Sequence, residues 1–298
     1  MYRNQRVTDL RVYNPFVGWV EFRDSPSKIV SLNPSITETL FELGAGKRVV
    51  GVSSWCHRPK EALSRPKVGS YTLVIEEKLR QLDPELIFTT TGAQKEALLK
   101  LLDLGYPTYP IPYPRDLYAI LSMFAEVGGL IGENFRALEL CRSAVELIGQ
   151  LSSRWKEKSI AVRSPRVYVE IDLGGPTVPA YFNHITHAFH LAGIENVLLH
   201  RPVDYLYGMQ VNGYEVFDVV TEIRRLDPDV IVFESKSFHP NDREGLEVME
   251  SRGLSDLRVV KTGRVLTVPA DTLAHYGPTF LKEVLTVCDK VWEAFLKG

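Results

Sequence analysis

Two ten-residue stretches of this chain follow one plan. Leu79-Arg80-Gln81-Leu82-Asp83-Pro84-Glu85-Leu86-Ile87-Phe88 is matched by Ile223-Arg224-Arg225-Leu226-Asp227-Pro228-Asp229-Val230-Ile231-Val232. Each reads as the end of an apolar-periodic helix, an Asp-Pro stop and an uninterrupted apolar run. Proline ends the helix because it pushes the residue before it out of the α region. A run without polar alternation suits a parallel strand covered on both faces. The copies lie about half a chain apart. Phe41-Glu42-Leu43-Gly44 and His190-Leu191-Ala192-Gly193 also hold matching places, at the ends of the first helix of each half. The pattern predicts two similar α/β lobes with a function that lies between them.

At 298 residues the chain exceeds one ordinary hydrophobic core, so two domains are expected. A net charge of −2 gives no bulk attraction to nucleic acid or anionic membrane. No apolar run approaches the roughly 18–20 residues that cross a bilayer. The opening Met1-Tyr2-Arg3-Asn4-Gln5-Arg6 leads into polar sequence without a signal-peptide core. The expectation is a cytoplasmic protein if the chain is complete, or an export signal absent from this sequence. Cys56, Cys141 and Cys288 are too far apart for a disulfide framework or a Cys-x-x-Cys metal site, and Cys141 and Cys288 read as buried helix residues.

Short strands fill 1–27. Strands at 28–32, 48–52, 86–89 and 106–113 then alternate with helices that start near Pro34 and at 75 and 93, which implies parallel βαβ units. Ser35 with Glu38 has the spacing of a capping box. A helix over 133–158 carries Phe135, Leu138, Cys141, Val145, Ile148 and Trp155 at helical spacing. It would be roughly 39 Å long, either a surface helix of one domain or, the reading preferred here, a rigid strut between two. The alternation restarts at 166–171. It passes a helix at about 181–192, a strand end at 197–199, an aromatic loop at 200–214, the second Asp-Pro copy, a helix near 241–252, a strand at 264–268 and a closing helix over 278–296. The expected fold is α/β: an N-terminal lobe over 1–132, a connecting helix over 133–158 and a C-terminal lobe over 159–298, each lobe with a parallel-rich sheet.

Ligands of open α/β sheets sit beyond the carboxyl ends of the strands. That rule gathers loops 31–35, 53–58, 69–72 and 89–92 from the first lobe, and 172–184, 200–214, 234–239 and 269–276 from the second. They hold Trp55, Tyr71, Tyr181, Phe182, Tyr205, Tyr207, Tyr214 and Tyr276. Aromatics that recur along one edge suit an apolar cleft for a flat organic ligand, although any one of them can be a surface anchor. His57, His184, His187, His239, His275 and Asp271 are the candidates for a bound metal, but no His-Glu-x-x-His or comparable spacing occurs. Otherwise the histidines cap helices or hydrogen-bond the ligand. No nucleophile elbow, phosphate-binding loop or dinucleotide fingerprint is present, and Gly44-Ala45-Gly46 reads as a helix stop. Adjacent side chains rarely meet, so Cys56-His57 is not read as an activated thiol.

Taken in order, Lys28-Ile29-Val30-Ser31-Leu32-Asn33-Pro34-Ser35-Ile36-Thr37-Glu38, Val49-Val50-Gly51-Val52-Ser53, Pro66-Lys67-Val68-Gly69-Ser70 and Leu82-Asp83-Pro84-Glu85-Leu86-Ile87 resemble the substrate-binding proteins of ABC importers for iron-siderophores, haem and cobalamin. The resemblance runs from about residue 20 to the closing helix. It implies two lobes on one long helix, a ligand cleft between them, no catalysis, and an extracytoplasmic place of action. Val49-Val50-Gly51-Val52-Ser53 followed by Trp55 is most similar to the cobalamin-binding branch. There the places of Trp55 and Tyr71 line the cleft from the first lobe, and that of Asp271 meets the ligand from the second. The second lobe's aromatic falls on Tyr207 or Tyr214, with Tyr181, His275 and Tyr276 on neighbouring loops. Glu77 matches a glutamate that docks on the permease. Thr221 holds the equivalent place in the second copy, so Glu222 would have to substitute there.

The resemblance implies as partners a permease and its ATPase subunits, without nucleic acid, around a monomeric binder. The cargo would be a cobalt corrinoid, with no intrinsic cofactor. A ferric siderophore or haem is the alternative, but Arg58 and Arg201 are the obvious loop arginines and anionic chelates call for more. A metal-dependent enzyme or a cytoplasmic corrinoid-handling protein on the same fold are the readings from other classes.

Overall fold

The computed structural model describes residues 9–92, 94–174, 178–179, 183–199 and 218–297. The chain divides into two compact units. One takes Met1–Tyr113 with Ile120–Ser143, and the other takes Pro114–Ala119 with Ala144–Gly298. The α/β architecture with parallel sheets is present in both.

The first unit opens with an antiparallel hairpin, β1 (Asp9–Asn14) and β2 (Gly18–Arg23). Its main sheet holds β3 (Ile29–Ser31), β4 (Val49–Ser53), β5 (Lys67–Gly69), β6 (Leu86–Thr90) and β7 (Thr108–Ile111), all parallel, in the order β5-β4-β3-β6-β7. Helices α1 (Pro34–Glu42), α2 (Glu76–Leu82) and α3 (Lys95–Asp103) connect them. Helices α4 (Leu117–Leu130) and α5 (Asn134–Ser153) each contain a point where the chain passes from one unit to the other.

After α6 (Lys156–Ala161) come β8 (Arg166–Ile171), β9 (Val178–Pro179), α7 (His184–Leu191), β10 (Glu195–Asn196), α8 (Val219–Leu226), β11 (Val230–Glu234), α9 (Glu244–Ser251), α10 (Arg258–Lys261), β12 (Val265–Val268) and α11 (Phe280–Leu296). The second sheet runs β10-β8-β11-β12 in parallel, and β9 pairs antiparallel with β8.

The repeated stretch does the same work twice. Asp83 and Asp227 end α2 and α8 in the left-handed region, at φ 49° and 39°. The following acid, Glu85 or Asp229, pins the start of the neighbouring strand. The Glu85 carboxylate accepts from the amides of Ser27 and Lys28, and that of Asp229 from the amide of Arg166. Backbone bonds repeat as well, Glu85 N–H to Lys28 O and Asp229 N–H to Arg166 O. Leu79 and Ile87 are buried in the core of the first unit, and Ile223 and Ile231 in that of the second. Each such side chain contributes roughly 1.5–3 kcal/mol. Gly44 and Gly193 close α1 and α7 at φ 78° and 70°, where a side chain would be strained.

Three local expectations differ from what forms. The cap of α1 is Asn33 and not Ser35: its Oδ1 accepts from the amides of Ser35 and Ile36, which leaves Pro34 at the first helical position. The helix of 133–158 is two helices, α5 and α6. Ser152 and Ser153 hydroxyls donate back to the carbonyls of Ile148 and Gly149, a competing bond that weakens a helix end. Phe135, Leu138 and Val145 are exposed, while Ala137, Ala144, Ile148 and Leu151 are buried. Near the start of α5 a small residue takes that face because α4 approaches closely there, and a Cβ on Gly128 would lie 2.3 Å from that of Ala137. Cys288 is buried and Cys141 half-buried.

Candidate functional site

In the first sheet the strand order reverses between β3 and β6, and in the second between β8 and β11, so each has a switch point at its carboxyl edge.

At the first edge, Trp55 follows β4 and is 52% exposed. The turn that carries it is held from below. Lys67 Nζ donates to the carbonyls of Cys56 and Ala62, at 3.2 and 3.1 Å. Cys56 Sγ lies 3.1 Å from Thr37 Oγ1 and 3.2 Å from Ser53 Oγ, and burial pushes its thiol up from the ordinary value. This cysteine is a packed polar anchor. His57 Nδ1 lies 3.0 Å from the Trp55 carbonyl. Tyr71, after β5, is half-buried. Its carbonyl accepts from Gln94 Nε2, which also donates to Leu32 O, while Gln94 Oε1 accepts from Thr90 N–H. One buried amide therefore joins three backbone segments at the end of the sheet.

At the second edge, Glu234 ends the fully buried strand β11. Its carboxyl accepts three amides from the loop after β12: Asp271 through Oε1, and Leu273 and Ala274 through Oε2. Burial and the neighbouring Asp271 carboxylate push Glu234 up to about 8, against the pull of the three amides. Asp271 itself stands at φ 60°, half-buried. His184, on α7, is fully enclosed between Tyr276 and Phe280. Its Nε2 lies 3.0 Å from the Leu273 carbonyl. Burial lowers it to about 4, against the Leu273 and Pro114 carbonyls that favour the charged ring.

Of the residues expected to meet a ligand, Trp55, Tyr71 and Asp271 lie on the two edges. His275 and Tyr276 belong to the same loop as Asp271 but are enclosed, 3% exposed each, with the Tyr276 ring against His184. Aromatic character on a loop did not distinguish a surface ring from one that packs the loop's own interior. Tyr181, Tyr207 and Tyr214 lie outside the described residues.

The described histidines have separate packing roles. His187 Nδ1 accepts from the Leu117 amide at the start of α4, and burial lowers its pKa. His239 is exposed on the loop after β11. Among the described residues no three His, Cys, Asp or Glu side chains are placed to hold a metal ion. No described helix is long and apolar enough to cross a membrane. Glu77 is exposed on the first turn of α2, with Gln81 Nε2 3.4 Å from its carboxylate. The Glu222 side chain is 14% exposed and bonded twice by Arg225. Thr221, in the place that matches Glu77, donates its hydroxyl to Asp218.

Lys67, Gln94 and Glu234 were not singled out from sequence. An acid that closes the apolar run Val230-Ile231-Val232-Phe233-Glu234 was a usable signal, since a buried carboxyl needs donors. Gln94, at the start of an ordinary amphipathic helix, carried none.

The family described as periplasmic binding protein matches residues 29–272. An ABC transporter substrate-binding lipoprotein of Bacillus subtilis is 26% identical over 283 residues, 92% of this chain and 82% of its own length. A vitamin B12-binding protein of Pectobacterium carotovorum is 30% identical over 269 residues, 89% of this chain and 88% of that one. The crystal structure of a periplasmic haem-binding protein from Pseudomonas aeruginosa shares the fold, with a TM-score of 0.73 at 22% identity over 90% of this chain and 93% of that one. Two α/β units with parallel sheets, built on a repeated helix–Asp-Pro–strand plan and matched by that family over residues 29–272, place this chain in the periplasmic binding protein family.

Proposed function

We propose that this protein is the substrate-binding component of an ABC importer and that its cargo is a cobalt corrinoid, bound and released without catalysis. The observation that carries the ligand choice is the 30% identity, over 89% of this chain, with a relative described as vitamin B12-binding. The exposed indole of Trp55 supports it, because a corrin presents a wide apolar face that an aromatic can cover. Tyr71 and Asp271 are the other contacts in this reading, and loop backbone groups would meet the amides at the corrin rim. The protein acts on the outer side of the cytoplasmic membrane, as its relatives' descriptions suggest.

Docking to the permease is assigned to Glu77 on the first unit. The second unit differs, since Glu222 is covered and already held by Arg225. A protein of this kind would dock through unlike contacts on its two units. Haem is the second reading, and the fold shared with the Pseudomonas aeruginosa haem-binding protein supports it.

Titration of the purified protein with cyanocobalamin, with haemin and with ferric chelates, followed by intrinsic Trp fluorescence, separates these. Saturable quenching by cyanocobalamin is expected, weakened about tenfold by Trp55→Ala or Tyr71→Ala, the usual scale for an aromatic anchor. Tight haemin binding with no response to cyanocobalamin would replace the first reading by the second.

A further inference from the structure

Loop 269–277 carries Asp271, the contact assigned to the second unit, and two buried groups beneath the loop hold its shape. We infer that Glu234 is the positioning residue of this ligand loop: it touches no ligand, but its carboxyl gathers the amides of Asp271, Leu273 and Ala274 and so presents Asp271. The inference rests on the reading that this loop meets the cargo.

The geometry is specific. Three amides from four consecutive residues converge on the two oxygens of one side chain, with Asp271 on Oε1 and the other two on Oε2. Leu273 is held through both of its backbone groups, its N–H by Glu234 and its carbonyl beside His184 Nε2. Asp271 stands in the left-handed region, at φ 60°, which an L-residue adopts only when its surroundings over-determine it. The amide given to Glu234 by Asp271 itself supplies that constraint.

A carboxyl can do this because each of its oxygens can accept, the hydroxyl oxygen of the protonated form included. Glutamine keeps one oxygen and turns the other into a donor, so it can retain at most two of the three amides. Alanine retains none. The effect on cargo binding follows from population: a loop in its binding shape only about a tenth of the time weakens apparent affinity about tenfold.

The test uses the full chain as wild type, Glu234→Gln, Glu234→Ala, Asp271→Ala and the double variant Glu234→Gln with Asp271→Ala. Amide hydrogen exchange on the ligand-free protein is read at residues 271, 273 and 274, and cyanocobalamin and haemin affinities are read by fluorescence at a temperature where every variant is folded. The expected result is graded: protection falls at some of these amides in Glu234→Gln and at all three in Glu234→Ala. Affinity falls severalfold in the first and about tenfold or more in the second. The double variant binds no more weakly than Asp271→Ala alone, because Glu234 acts through Asp271. Unchanged exchange in Glu234→Ala overturns the inference. So does faster exchange with wild-type affinity, since the contact would then support the fold without positioning the loop for cargo. A wild-type chain that binds neither probe refutes the corrinoid and haem readings, and with them the ligand role given to Glu234, while the exchange data still show whether it holds the loop.

Discussion

At the carboxyl edge of the first sheet, Gln94 reaches into three separate segments, donating to the Leu32 and Tyr71 carbonyls and accepting from the Thr90 amide. At the same edge of the second sheet, Glu234 accepts three amides from a single loop. The two groups sit near equivalent strand ends, β6 and β11, in units built on the same repeat. An amide mixes donor and acceptor and can join strangers, whereas a carboxyl offers acceptors and gathers like groups. The second arrangement also brings a titratable group into the interior, so the two edges should respond differently to pH.

Replacing the amide is expected to have the largest effect. Gln94→Ala leaves one amide and two carbonyls without their partner at a buried site, and should lower stability by about 3–5 kcal/mol in urea denaturation. A loss under about 1 kcal/mol would mean that water takes over the amide's bonds, and the contrast with Glu234 would lose its basis.

Next come the acids of the repeat. Asp229 is buried and receives Arg163, Arg258 and the Arg166 amide. Burial alone would raise its carboxyl, but these partners hold it well below the usual carboxylate range. Asp229→Ala should cost about 2–3 kcal/mol, less than a fully enclosed pair because both arginines are about half exposed. Glu85→Ala should cost about 1 kcal/mol, since its partners are mainly backbone amides and one exposed arginine. Equal losses would show that the first unit leans on its acid as heavily as the second.

The pH response comes third. The depressed Asp229 carboxyl gives stability that is present above its unfolded value and lost as the pH falls through its folded one. Glu234 has the opposite sign, because its folded value is raised to about 8. The folded protein then holds a proton that the unfolded chain has lost, so stability falls as pH rises from the ordinary carboxylate range to about 8 and levels off above it. Between pH 7 and 9 His184, lowered to about 4, is neutral in the folded protein and mostly neutral in the unfolded chain, so it adds little. The buried thiols of Cys56, Cys141 and Cys288 are raised as well and lower stability over the same window in every variant, so thermal denaturation should show a fall about 1 kcal/mol smaller in Glu234→Gln than in the wild type. Equal falls in the two proteins would mean that the three amides keep the carboxyl ionised throughout.

The smallest effect is expected at the helix stops. Asp83→Gly and Asp227→Gly relieve a left-handed side chain but loosen the unfolded chain and remove a weak ion pair, for a net change within about 0.5 kcal/mol. Chemical denaturation of both variants checks whether the two stops are equivalent. Changes of opposite sign would break the duplication at the point where it is clearest.

How much could be read beforehand depended on range. The helix–Asp-Pro–strand units were legible because each is a local event: a proline, an apolar run and a buried strand need no distant partner. The cap of α1 was misplaced by two residues because Asn33 and Ser35 both suit a cap, and the choice was made by where Pro34 could sit. Of the residues read at helical spacing over 133–158, Ile148 and Trp155 are buried, while Phe135 stands exposed because close approach to α4 favoured Ala137 on the inner face. At the edges, Trp55, Tyr71 and Asp271 were reached through loop position and family resemblance. The groups that hold those loops were not, since Gln94 lies 62 residues from Leu32 and Glu234 lies 37 to 40 from the amides it receives.

The sequence by itself determined the repeat, the parallel α/β units and the family, because hydrophobic period and proline punctuation act over a few residues and tolerate wide variation elsewhere. Only the tertiary structure decided which polar side chains go inside and what they hold. A buried amide or carboxyl is stable only where backbone donors and acceptors from other loops converge on it, and that convergence exists only once the sheets have formed.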